Sequence, residues 1–166
     1  MNIKYRIATL NDFDEIYELF RKATDNMNEN RIYQWDEIYP NRAILKDDIK
    51  KQQLHIGISN EKIAVAFVLN VDSDEAYKEC KWEYPNSRYV ILHRFCVNPE
   101  FQNRGLGSEA MKYIENIVRE IGFESIRLDA FSENPYALQM YKKLCYKTVG
   151  FADFRKGRFH LMEKKL

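Results

Sequence analysis

Apolar and polar residues alternate over 3–8, as in a half-buried strand. Asn11 or Asp12 then opens a stretch in which Phe13, Ile16, Tyr17 and Phe20 recur at helical spacing. Residues 43–51 predict a short helix. Residues 54–59 and 63–71, joined by a turn at Glu61-Lys62, predict a hairpin whose second strand is apolar enough to be central. Residues 88–97 are rich in branched and aromatic side chains and stop at Asn98-Pro99, so they predict a strand. The pattern then changes to helical spacing at Leu106, Ala110, Ile114, Ile117 and Ile121, with Gly122 as terminator, which predicts a helix over 105–121. A strand over 125–131 follows. Asn134 caps a helix that has Pro135 in its first position and Ala137, Leu138, Tyr141 and Leu144 on one side. Strands over 146–151 and 158–162 close the chain. The order predicts an α/β (α+β) fold with a mixed sheet of six to seven strands and helices on both faces. Strand 88–97, helix 105–121 and strand 125–131 form a βαβ unit whose strands should be parallel.

Two polar stretches, 25–40 and 72–86, interrupt this pattern and carry Trp35, Tyr39, Tyr77 and Trp82. Aromatic residues in irregular segments held by a scaffold commonly line a binding site, and these four are the candidate walls of a substrate pocket. Their other role is to pin the loop to the body.

A length of 166 residues with 45% hydrophobic content fits one domain over 1–166. Lysine and arginine (26) nearly balance aspartate and glutamate (25), which removes the basic surface expected of a nucleic-acid partner or a polybasic membrane anchor. Cys80, Cys96 and Cys145 are odd in number and widely spaced, so neither a disulfide framework nor a thiolate metal site is expected, and a reducing cytoplasm fits best. No apolar run approaches the length of a spanning helix.

The chemistry concentrates in Gln102-Asn103-Arg104-Gly105-Leu106-Gly107-Ser108, at the start of the long helix. Glycines there let a ligand approach the backbone, and the amides and positive end of the helix favour an anion such as pyrophosphate. A plain turn is the alternative. Gly105 to Ala110 also fits a Rossmann G-x-G-x-x-A turn with Asp129 as the ribose acid, but residues 98–104 separate the first glycine from its strand. Tyr141 lies seven residues after Asn134, two turns along one helix face, so both can look toward one ligand.

Strand 90–97 followed by Gln102-x-x-Gly105-x-Gly107 resembles the acetyl-CoA-binding motif of the GNAT superfamily of N-acetyltransferases, and Asn134-x-x-Ala137-x-x-x-Tyr141 resembles its next motif. The resemblance implies a GNAT-like fold with a V-shaped cofactor gap between strands 88–97 and 125–131. It also implies acetyl-CoA as co-substrate and no metal. By the same resemblance the pantetheine arm bonds backbone near Phe95 and Val97, and the diphosphate is cradled by Gln102, Asn103, Arg104, Gly105, Leu106, Gly107 and Ser108. Asn134 lies near the cofactor and Tyr141 near its sulfur. It implies transfer to a primary amine of a small molecule or a protein by direct attack on the thioester, in a monomer or homodimer. A non-catalytic acyl-CoA-binding or sensor module is the alternative.

Tyr141 is the candidate acid and His93 the candidate base, with Glu83 second, because strand 88–97 carries no carboxylate. The family usually has glycine after the last helix, where this chain has Cys145 in Leu-Cys-Tyr. That predicts a different turn, with Cys145 as a small buried residue.

Overall fold

The structure, a computed structural model, describes residues 2–166. Seven strands form one mixed sheet in the order β1-β2-β3-β4-β5-β7-β6. They are β1 (Lys4–Ile7), β2 (Leu54–Ser59), β3 (Lys62–Asn70), β4 (Tyr89–Val97), β5 (Ser125–Phe131), β6 (Lys147–Phe154) and β7 (Gly157–Lys165). Among the described residues five α-helices accompany them: α1 (Phe13–Glu29), α2 (Arg42–Lys50), α3 (Glu75–Glu79), α4 (Leu106–Glu120) and α5 (Pro135–Lys143). The chain divides into two compact units, one reaching from the N-terminal segment to Leu69 and including Arg94–Ala110, the other built from Asn70–His93 and Met111–Leu166.

In the first unit β1, β2 and β3 are antiparallel neighbours. β2 and β3 turn tightly at Asn60 and Glu61, both left-handed (φ 49° and 61°), one residue earlier than the sequence predicts, and Lys62 joins β3 opposite Ser59. α1 buries Phe13, Ile16, Leu19, Phe20 and Ala23. It runs on to Glu29, into the stretch expected to be irregular, because Met27 continues the apolar stripe into the same cluster and neither glycine nor proline interrupts it. α2 is capped by Asn41, whose side chain accepts from the Ile44 amide at 3.0 Å. Asn98 locks the end of β4. Its side chain donates to the Ile63 carbonyl (2.9 Å) and accepts from the Glu100 amide (3.0 Å), and its own amide bonds the Ala64 carbonyl (2.9 Å).

In the second unit β4 and β5 are parallel, paired from Tyr89↔Ser125 to Leu92↔Leu128, as the βαβ reading requires. β5 then pairs along its whole length with antiparallel β7, which pairs with β6. Arg127 and Glu163, opposite one another and nearly fully buried, form an ion pair at 2.9 Å, and the Arg127 guanidinium also lies over the rings of Tyr89 and Trp82. α3 arises inside the second stretch expected to be irregular. Tyr77 on it packs with Trp82, Ile91, Ala152 and Leu161.

Candidate active site

In the first unit β4 delivers the chain to the glycine loop, and each step has a local cause. Gln102 donates its side-chain amide to the Val97 carbonyl and accepts from Asn26 of α1, both at 3.2 Å, so it closes the 97–102 loop on itself. The segment then exposes Asn103, Arg104 and Gly105. Asn103 and Gly105 are left-handed (φ 59° and 78°), and a Cβ built on Gly105 meets nothing within 4 Å. The Gly105 carbonyl accepts the first helical bond of α4 from the Glu109 amide at 3.1 Å. By helix geometry the amides just before Glu109 have no intrahelical acceptor and project from the positive end of the dipole. Leu106 anchors that end by packing with Ala64 and Phe101. An open, left-handed glycine in front of unbonded helix amides fits a diphosphate, which a side chain at Gly105 would displace.

Arg94, in the middle of β4, is itself left-handed (φ 50°). Its guanidinium donates to the Tyr39 hydroxyl (2.7 Å) and to Asp48 Oδ1 (2.6 Å), and it lies over the Tyr39 ring. Burial pushes the Asp48 carboxyl up, more than the Arg94 charge lowers it. Breaking such a pair by removing one partner costs about 3–5 kcal/mol. The pairing of Arg94 with Asp48 is not legible in the sequence, since only the fold brings strand and α2 together. Phe95 and Val97 are half-buried on the same strand, and Val97 packs with Leu106.

In the second unit Asn134 caps α5, accepting from the Ala137 amide at 3.1 Å, as the sequence predicts. Tyr141 is 6% exposed and meets the Tyr146 ring edge-on at 5.7 Å. Burial, then the Asp129 charge, pushes its phenol above the ordinary range, so the hydroxyl stays protonated at neutral pH. The helix ends in a left-handed cap after all, with Cys145 at φ 69°. Cys145 N–H bonds the Lys142 carbonyl and Tyr146 N–H bonds the Tyr141 carbonyl, both at 3.0 Å. The expected alternative turn is therefore corrected, and Cys145 is exposed rather than buried. The cap's two bonds outweigh the strain of a cysteine there and tie Tyr141 and Tyr146 together.

His93 is half-buried on β4, one residue past the last pair of the β4–β5 ladder. Glu83 is exposed and engaged by Lys147 at 2.8 Å, and this hydrogen bond first of all lowers its carboxyl, which makes it a poor base. Among the four aromatic candidates, Trp35 (7% exposed) packs on Phe20 in the core of the first unit. Tyr77 (4%) and Trp82 (9%) sit in the core of the second. Their polar atoms are satisfied internally: Trp82 Nε1 donates to the Tyr77 carbonyl and the Tyr77 hydroxyl to Asp129 Oδ2, both at 2.7 Å. Tyr39, half-buried, holds Arg94. Among the described residues no cluster of His, Cys, Asp and Glu could hold a metal ion, and no helix is long and apolar enough to cross a membrane.

The Acetyltransferase (GNAT) family model matches residues 13–145, which include the α4 loop and the Asn134–Tyr141 helix. The chain belongs to this family. The N-acetyltransferase YesJ of Bacillus subtilis (strain 168), itself uncharacterized, is 22% identical over 162 residues, covering 96% of this chain and 88% of that one. A GNAT-family acetyltransferase from Streptococcus agalactiae 2603 superposes with a TM-score of 0.84 at 25% identity over 99% of this chain and 95% of its own. The PaiA N-acetyltransferase of Thermoplasma acidophilum, solved with coenzyme A, shares the fold (TM-score 0.74, 19% identity, all of both chains). The GNAT fold expected from the two motifs is thus the fold of this acetyltransferase.

Proposed function

We propose that the chain, acting as one domain over 1–166, transfers the acetyl group of acetyl-CoA to a primary amine of a small molecule or a protein in the cytoplasm. The observation that carries this reading is the α4 cradle, a left-handed Gly105 with open space above it in front of free helix amides. Coenzyme A in the PaiA structure of the same fold supports it. The cofactor supplies an activated acetyl thioester, so no covalent enzyme intermediate is required. The amides of Gly105 to Ser108 hold the diphosphate, Arg104 adds charge at the exposed loop, and the β4 backbone at Phe95 and Val97 holds the arm. The Tyr141 hydroxyl donates to the departing thiolate. Burial and the Asp129 charge keep that hydroxyl protonated at neutral pH, so it is available to donate. The test is release of free thiol from acetyl-CoA against a panel of primary amines. Amine-dependent release supports the enzyme, and tight acetyl-CoA binding without release for any amine would make the chain a non-catalytic acyl-CoA sensor.

A further inference from the structure

Asp129 is a half-buried carboxylate on a strand that is otherwise buried from Ser125 to Phe131. Aspartate is both disfavoured in strands and costly to desolvate, so its presence there needs a reason. Its Oδ2 accepts the Tyr77 hydroxyl at 2.7 Å, and α5, which carries Tyr141, packs against β5. Arg127, the cation nearest on the same strand, is already neutralised by Glu163 at 2.9 Å. Asp129 is the first residue of β5 past the β4 ladder, which stops at Leu92↔Leu128. Its orientation is set by the Tyr77 phenol from α3, and its charge acts on the Tyr141 phenol.

Resting on the acetyltransferase reading above, we propose that Asp129 is the catalytic base that takes the proton from the attacking amine, with Tyr77 as its positioning residue. The amine nitrogen, in its neutral form, uses its lone pair to form the C–N bond to the thioester carbonyl carbon. The C–S bond breaks with its electron pair on sulfur. One N–H proton passes to the Asp129 carboxylate, and sulfur takes the phenolic proton of Tyr141. Asp129 then loses its proton to solvent and the phenolate regains one, so amine and acetyl-CoA give amide and free thiol. The acceptor that fits is a cationic amine, drawn by the carboxylate before it loses its first proton to solvent. The Asp129 charge, after burial, also keeps Tyr141 protonated, as a donor to sulfur must be.

The titratable groups around Asp129 are Tyr77 on α3, Tyr141 on α5 and His93 at the next position of β4. On β7 the group on the same face is Glu163, paired with Arg127, while His160, opposite Ala130, projects to the other face.

The experiment is the pH dependence of kcat for the wild type, Asp129→Asn and Tyr77→Phe, with acetyl-CoA affinity measured alongside. Asp129→Asn should lower kcat by about 10²-fold or more and remove the acidic limb, leaving acetyl-CoA affinity near wild type. Tyr77→Phe, which deletes a hydrogen bond to the charged carboxylate, should move the acidic limb to higher pH. An active Asp129→Asn with an unchanged profile, or a Tyr77→Phe that lowers only the melting temperature, overturns the assignment of Asp129 and leaves the acetyltransferase reading standing. A wild type with no amine-dependent thiol release overturns both.

Discussion

Replacing Cys145 with glycine should stabilise the protein. The residue sits at φ 69° in the cap that ends α5, where a side chain costs roughly 1–2 kcal/mol for any L-residue. Cys145 is exposed, so no packing is lost with its thiol. The bonds from its amide to the Lys142 carbonyl and from Tyr146 to the Tyr141 carbonyl are backbone bonds that glycine keeps. Against the relief stands the larger freedom of glycine in the unfolded chain, about 0.5–1 kcal/mol. The net gain is about 0.5–1 kcal/mol, or a rise in Tm of ~1–4 °C at this chain length. Thermal and urea unfolding of Cys145→Gly and Cys145→Val under reducing conditions measure it. The valine variant, β-branched in a left-handed position, should lose stability. An unchanged or lowered Tm for glycine, or a valine variant no worse than wild type, would refute the argument that this cap is strained.

Tyr141→Phe keeps the ring against Tyr146 and loses the donor, so kcat should fall by about 10² with acetyl-CoA affinity unchanged in steady-state and binding assays. Trp35→Ala and Trp82→Ala, which empty core positions, should each cost about 3–5 kcal/mol in denaturant titration while the amine preference is preserved. A changed preference without loss of stability would return these residues to the acceptor pocket. The Arg6 guanidinium, bonded to Asp12 at 2.6 and 2.8 Å, holds the Asp12 carboxyl well below its usual range, since hydrogen bonds to the charged form outweigh its burial. The pair's stabilisation is present above about pH 4, the unfolded value, and fades as pH falls through the lower folded value, so Asp12→Asn should flatten the acid side of the stability profile.

Periodicity placed nearly every strand and the helices α1, α2, α4 and α5 because their burial is decided locally, by one face of each element. The glycine loop was legible for the same reason: Gly105 owes its conformation to its own backbone and to the helix that follows. Where tertiary contacts decide, the sequence left alternatives open. Trp35 and Trp82 sit in polar stretches and yet reach the core, because Phe20 and Arg127 receive them and the Tyr77 carbonyl satisfies the Trp82 ring nitrogen. Asp129 enters the sequence only as the acid of a Rossmann turn, and its bond to Tyr77, 52 positions away, is what sets it apart in the fold. Arg94 depends in the same way on Tyr39 and Asp48.

The claim that α4 begins in the cofactor's cradle is tested most directly by titrating acetyl-CoA into the wild type, Gly105→Asn and Gly105→Val in a calorimeter. Asparagine tolerates the left-handed backbone and so reports on a side chain in the cradle with little strain, while valine adds strain and bulk. A lost charge-assisted bond to phosphate is worth about 1.5–3 kcal/mol, so both variants, still folded, should bind acetyl-CoA about tenfold more weakly or worse, with valine the weaker. Wild-type affinity in a folded Gly105→Val protein would contradict the account.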